Sequence, residues 1–279
     1  MTPDAYCRQK AAASGSSVYY CLLFLPPQQR AAITSLYALR RELDEVVSDS
    51  HDASLAQTRL EWWRIEVARM FAGEPHHPVT RALASATLPR DVAAASLDEI
   101  VDGVKMDLDQ TRYLDITGLE RYCRLVSGGT WRLIAAILGF RDERTLDYAS
   151  NLGIALQLSS IVRDAGIHAR RNRIYLPMDE LRDFGVAAAD LLNARHSEGF
   201  VRLMQFQGHR AEAYFAKALD ALPPEDRCAQ RPGLIMAAIS RALLHELGRE
   251  GFQVLTRRTS LTPLRKFWIA WRTWVSARG

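Results

Sequence analysis

The sequence predicts an all-α fold: one bundle of helices around a central apolar interior. Three observations predict it. Apolar residues recur at three- and four-residue spacing along nearly the whole chain, and strand-like alternation is absent. Proline and glycine gather between the periodic segments, at Pro26-Pro27, Gly73 to Pro78, Pro89, Gly118, Gly139, Pro177, Gly185, Pro223-Pro224 and Pro232-Gly233. No Gly- or Ser-rich linker and no fixed-period repeat divides the chain, so residues 1–279 read as a single domain. The punctuation leaves helices at 28–48, 53–72, 91–113, 119–138, 143–168, 197–220, 233–255 and 260–275.

Composition narrows the class. With 48% hydrophobic and 24% charged residues, a chain of 279 residues can bury a sizeable core, which argues against disorder. No apolar run is long enough to span a bilayer. The opening MTPDAYCRQK lacks a signal peptide's apolar segment. Cys7, Cys21, Cys123 and Cys228 are far apart, without metal-type spacing, as reduced cytoplasmic thiols are. The net charge of +4 suits an anionic partner: a membrane surface, a phosphate ligand or nucleic acid.

Taken in order, the first informative stretch is SGSSVYYCLLFL, 14–25. Its small hydroxyl residues suit a helix start, where free backbone N–H groups favour an anion, or ordinary capping by Ser14 or Ser16. In AAITSLYALRRELDEVVSD, 31–49, charge enters an apolar helix. Tyr37, Arg41 and Asp44 share a face there, while Glu45 and Asp49 lie about 100° round. Segment 101–113 adds Asp102, Asp107 and Asp109 near Arg112 and Tyr113, mostly surface pairs, with Asp107 a candidate supporting group. Segment 119–140 carries Tyr122, then Ser127-Gly128-Gly129, where backbone can approach a ligand or helix closely, then the bulky Trp131.

Segment 151–178, NLGIALQLSSIVRDAGIHARRNRIYLPM, is the most unusual. Helical spacing aligns Ser160, Asp164 and His168 in one row and Gln157, Ile161 and Ala165 in the next, with Arg163 on the flank. Charges on a buried helix are costly unless they are paired or bind something. Residues 257–279 contain no acid. Phe267, Trp268, Trp271, Trp274 and Val275 recur there between Arg265, Lys266 and Arg272, a pattern suited to a membrane interface or to docking on the domain. No recognition-helix motif accompanies the charge, so nucleic acid is not expected.

These segments resemble the head-to-head isoprenoid synthases: squalene, phytoene and dehydrosqualene synthases. The likeness is strongest to the presqualene diphosphate synthases of the bacterial hopanoid pathway. It runs through SGSSVYYCLLFLPP, LYALRRELDEVVSD, MDLDQTRYLD, YCRLVSGG, LGIALQLSSIVRDAG, RIYLPMDELRDFGV, QRPGLIMAAISRALL and GFQVLTRRTSLTPLRKFW. The resemblance implies the isoprenoid synthase fold, a single helical bundle around an apolar cavity. It implies two farnesyl diphosphates condensed head to head to presqualene diphosphate, with Mg²⁺, or Mn²⁺ in its place, drawing off diphosphate. No NADPH is needed for that first half-reaction.

Residue by residue, the resemblance assigns metal binding to Asp44 and Asp164, the first aspartates of two Asp-x-x-x-Asp motifs. Arg41 and Arg163 fall on diphosphate contacts beside them. Gln157 falls on a polar position upstream of the second motif, Arg173 and Tyr175 on a basic–aromatic pair after it. Arg257 falls on a C-terminal phosphate contact and Ser17 on a hydroxyl of the substrate-binding N-terminal helix. Tyr37, Tyr122 and Tyr175 fall on tyrosines that orient diphosphate or steer proton and cation chemistry. The expected partners are farnesyl diphosphate, the inner face of the membrane as a peripheral contact, and a second copy or partner synthase, in the cytoplasm.

The departures are specific. Ser48 and His168 stand where each motif closes with aspartate, Ser160 where asparagine is expected, Ser240 where a cavity tyrosine is expected, and Trp131 where a small glycine is expected. Serine is a weak Mg²⁺ ligand and histidine prefers transition metals. Two alternatives follow: an impaired homologue that keeps the fold and binds prenyl diphosphate or a partner, and different metal-assisted chemistry through His168.

Overall fold

The computed structural model describes residues 1–11, 17–48, 52–86 and 88–277, the side chains of Ser48 and Ala53 excepted. Ser14, Ser16 and Asp49, and the side chain of Ser48, therefore lie outside the described residues. The helices are α1 (Pro3–Ala11), α2 (Ser17–Leu22), α3 (Pro27–Ser48), α4 (Ala53–Ala72), α5 (Pro78–Ala84), α6 (Arg90–Asp109) and α7 (Ile116–Cys123). They continue as α8 (Gly129–Leu138), α9 (Arg144–Arg170), α10 (Met178–Asp183), α11 (Ala188–Leu192), α12 (Glu198–Ala221), α13 (Arg231–Arg249) and α14 (Pro263–Ser276). Among the described residues there is no strand, only an isolated parallel bridge between Arg112 and Ile174.

Local chemistry sets the ends. The Asp52 carboxylate accepts from the Ser54 N–H to open α4, and Gly73, at φ 86°, closes it in the left-handed region. Asp115, Ser197 and Thr262 cap α7, α12 and α14 in the same way. Pro78 at the first turn starts α5, a short helix that the sequence pattern alone passes over, as it does α1, α10 and α11.

Helix α9 is the axis of the bundle. It packs against α8, α12 and α13, and its apolar residues Leu152, Ile154, Ala155, Leu158, Ile161 and Val162 are buried. Two glycines allow the closest approaches. A Cβ at Gly153 would run into the Ser127 backbone, and one at Gly166 into the Val254 and Leu255 carbonyls.

Two expected helices are modified. The stretch 119–138 divides into α7, a π-helical turn at Arg124–Gly128, and α8. That turn lies against α6 and α9, and its wider coil fits where Gly128 and Gly153 bring the backbones together. Helix α9 is kinked at Asp164, whose backbone is non-helical, with φ −103° and ψ 15°. The expected straight row Ser160–Asp164–His168 is thus bent at its middle residue.

Candidate active site

One half of the site is a cluster of tyrosines around a buried acid. Asp107, in the last turn of α6, accepts hydrogen bonds from the Tyr122 hydroxyl at 2.8 Å and the Tyr175 hydroxyl at 2.9 Å. Arg173 donates to the Asp107 carbonyl at 2.6 Å and lies 3.6 Å from its carboxylate. The segments meet because Ile174 N–H bonds to Thr111 C=O at 3.0 Å and Met178 N–H to Tyr113 C=O at 2.9 Å. Tyr113, Tyr122 and Tyr175 pack ring against ring, with centroids 5.3 to 5.7 Å apart. Burial raises the Asp107 pKa and outweighs its donors; the nearby charge of Asp44 raises it further. Burial also raises the hydroxyls of Tyr122 and Tyr175, so both remain proton donors.

Asp44 borders this cluster from α3. Its carboxylate is half exposed and pairs with Arg40 at 2.8 Å across one helical turn. Arg40 also reaches the Val126 carbonyl at 3.4 Å. Arg41, the residue expected beside Asp44 on the same face, is exposed, and Arg40, one turn before the acid, takes the ion pair instead. Tyr37 is half-buried on α3, its hydroxyl pKa raised by burial, with Cys21 and Arg40 nearby. Glu45 is occupied by Lys10 at 2.5 Å.

The other half is basic. A cavity of about 550 Å³ is lined by Ser17, Ser160, Arg163, Ser240, Arg258 and Lys266, among others. Arg163 donates through Nε to Asp164 at 2.9 Å and through a second nitrogen to the other carboxylate oxygen; Arg258 adds a contact at 3.3 Å. Neighbours on a regular helix diverge by about 100°. The irregular backbone at Asp164 accompanies the closing of this adjacent pair. Burial would raise the Asp164 pKa, but Arg163 first and Arg258 second outweigh it and hold the carboxyl below its ordinary value. Lys266 is buried over the Tyr20 ring at 5.8 Å, its pKa lowered by burial and by Arg163 and Arg258. Arg163, Arg258 and Lys266 thus line one cavity, with the two arginines sharing the Asp164 carboxylate. A half-enclosed cavity lined by cationic side chains and several hydroxyls favours an oxyanion.

Gly166 delivers Arg258 to this place. Its missing Cβ lets residues 254–255 lie on α9, and Arg170 holds the Leu255 carbonyl at 3.1 Å. His168 joins the two halves: it packs edge-on against Tyr175 at 4.7 Å. Burial depresses its pKa to about 4, beyond what Asp164 restores, so the ring is neutral near pH 7. Its Nδ1 is buried without a hydrogen-bond partner.

Donor chemistry tests the expected metal. Mg²⁺ commonly takes one or two carboxylates together with phosphate oxygens and water. Both oxygens of Asp164 accept from arginine, and both oxygens of Asp107 from tyrosine. Asp44 is the carboxylate whose exposure and single cation fit an ion arriving with diphosphate. Among the described residues no three His, Cys, Asp or Glu side chains gather into a metal cluster. That includes His168, for which a transition metal was the alternative.

The residues 11–265 match the family description "Squalene/phytoene synthase". The chain belongs to this family. It is 32% identical to the phytoene synthase of Arthrospira platensis, over 94% of this chain and 90% of the relative. It is 30% identical to the 15-cis-phytoene synthase of Synechococcus elongatus, with the same coverages. Against the chloroplastic phytoene synthase of an Oncidium hybrid it is 27% identical over 94% of its own length, and spans 66% of that relative. A ligand-bound dehydrosqualene synthase shares the fold with a TM-score of 0.83 at 23% identity, over 98% of this chain and 96% of that one. The squalene synthase HpnC of Alicyclobacillus acidocaldarius does so at 0.76 and 24%, over 90% and 94%.

The structure brings Tyr122, Tyr175 and Arg173 together on Asp107, and Ser17 and Arg163 into the basic cavity with Asp164 at its edge. Gln157 is half-buried on α9, two turns before Asp164. Arg257 does not line the cavity: it turns out to Glu250 at 3.3 Å, and its neighbour Arg258 enters instead. In a run of two arginines outside a helix, periodicity cannot say which one faces inward. The sequence pattern groups Lys266 with the basic residues of the aromatic helix, and only the packing of α14 turns it into the cavity. Trp131 is buried in the core on α8 and does not border the basic cavity.

Proposed function

We propose that this member of the squalene/phytoene synthase family is a prenyltransferase that condenses two farnesyl diphosphates head to head to presqualene diphosphate, a squalene and hopanoid precursor. The observation that carries the reading is the cavity where Arg163, Arg258 and Lys266 converge with Ser17, Ser160 and Ser240. In this reading the guanidinium and ammonium groups bind the diphosphate and stabilise the charge it gains on leaving. The Asp164 carboxylate holds both arginines in position. The aromatic faces of Tyr113, Tyr122 and Tyr175 offer electron density to an allylic cation in a site largely shut off from water. The second substrate's double bond attacks that cation, a cyclopropane forms, and one proton and one diphosphate leave. Asp44 is the residue that would hold Mg²⁺, which would add positive charge at the departing diphosphate.

Incubation of the purified protein with farnesyl diphosphate and Mg²⁺, followed by analysis of the organic extract and of released diphosphate, tests this. Presqualene diphosphate is the expected product. No diphosphate release at high protein concentration overturns the reading.

A second reading, an impaired homologue that binds prenyl diphosphate, draws on one observation: Asp164 is saturated by arginine and His168 stands in the second acid's place. Ser48→Asp with His168→Asp then raises Mg²⁺-dependent turnover over the starting protein. An unchanged rate counts against metal binding as the defect.

A further inference from the structure

Helix α14 has two apolar faces, and the fold uses one. Successive residues advance by about 100° around a helix. Lys266, Ala270 and Ala277 turn inward and are buried. Beside them Trp274 stacks on Phe24 at 5.1 Å and under the Arg231 guanidinium at 4.7 Å. The adjoining arc carries, in angular order, Phe267, Trp271, Leu264, Val275 and Trp268, which together cover about 100°. All five are exposed, from 43% for Val275 to 82% for Leu264. Arg272 and Arg265 extend the arc on one side; Arg272 is exposed, and Arg265 is held by Glu246 at 2.7 Å.

We propose that this face of α14 docks on an anionic lipid surface. Five contiguous apolar side chains in water carry a standing hydrophobic cost that insertion at the acyl boundary removes. Indole rings suit the headgroup level, and flanking arginines reach lipid phosphates along their apolar stems. No acidic residue between Arg257 and Gly279 opposes an anionic membrane. A second copy is disfavoured as the occupant, since facing copies would bring like-charged arginine flanks together. Among the described residues no helix is long and apolar enough to cross a bilayer, so the contact is peripheral. The first turn of α14 also lines the basic cavity through Pro263 and Lys266. Docking therefore sets that cavity beside lipid, where a long-chain prenyl substrate of the proposed reaction would be dissolved. The docking itself does not depend on that reaction.

Sedimentation of the full chain with mixed phosphatidylglycerol–phosphatidylcholine vesicles, and with phosphatidylcholine alone, tests the proposal without any activity readout. The protein is expected to sediment with the mixed vesicles, with a blue shift of tryptophan fluorescence. Trp268→Ser with Trp271→Ser lowers partitioning at least about tenfold, and Arg272→Glu lowers it about fivefold on mixed vesicles only. Leu264→Ser, at the most exposed position, repeats the test with minimal risk to folding. Wild-type protein that stays in the supernatant, or tryptophan and leucine variants that sediment as well as wild type, overturn it. So does a dimer that these substitutions dissociate in a protein that binds no vesicles, which assigns the face to a second copy.

Discussion

Asp44 and Asp164 occupy matching places in two helices, each with arginines close by and each without the second acid four residues on. Their surroundings differ in kind. Asp44 sits half in water with one arginine a turn away, while Asp164 is buried at a break in α9 between Arg163 and Arg258. The same residue type thus answers to different physics. An exposed pair is screened and worth little; a buried one fixes the position of its partners. Asp107 sharpens the point. It is also buried, yet its pKa is raised where that of Asp164 is lowered, because tyrosine hydroxyls and one nearby arginine do less for a carboxylate than two guanidinium groups in contact.

The largest effect expected is therefore at Asp164. Asp164→Asn leaves two guanidinium groups without their shared acid and lowers unfolding stability by about 3 kcal/mol, at the lower end for a buried pair because Arg258 is partly exposed. Denaturant titration of Asp164→Asn beside wild type measures it, and a loss no greater than that of Asp44→Asn would break the comparison.

Next comes a pH dependence. Burial puts the folded His168 pKa at about 4 against 6.5 unfolded, so the unfolded chain binds more protons between these values. Stability is full above pH 6.5 and falls as pH drops towards about 4, by about 2 kcal/mol after allowing for partial exposure. His168→Gln flattens that portion of a stability–pH curve. Asp164 adds a loss in the same direction as pH falls below its unfolded value. Asp107 acts oppositely, its raised pKa making stability fall as pH rises past its unfolded value.

Tyr175→Phe removes one donor from the buried Asp107 and costs about 2 kcal/mol, read by thermal unfolding. Tyr122→Phe behaves alike. In the basic cavity, Arg258→Ala weakens binding of inorganic pyrophosphate about tenfold, whereas Arg257→Ala leaves it unchanged; calorimetry of both variants decides between the adjacent arginines. The smallest stability change belongs to Asp44→Asn, about 0.5 kcal/mol or less for an exposed pair one turn apart. If Asp44 holds Mg²⁺, this variant loses turnover with little loss of stability, so the two measurements together separate binding from folding.

Much of this was legible in the chain. Helical periodicity and Pro/Gly punctuation marked the long helices; Ala53–Ala72 matches the expected bounds, and Pro27–Ser48 differs by one residue. The unusual charges of 151–178 and the tyrosines of 119–140 and 173–175 marked the site. The short helices were missed because a stretch of five to nine residues carries too few turns to establish a period.

The fold class, the family and the polar residues set into apolar helices follow from local spacing and from motifs read in order along the chain. Tertiary structure alone decided their partners: Arg40 and not Arg41 on Asp44, Arg258 and not Arg257 at the cavity, His168 against Tyr175. The reason is geometric. A helix fixes which residues share a face, but a π-turn, a break at Asp164 and a loop seated on Gly166 set where faces meet, and those depend on contacts far apart in the chain.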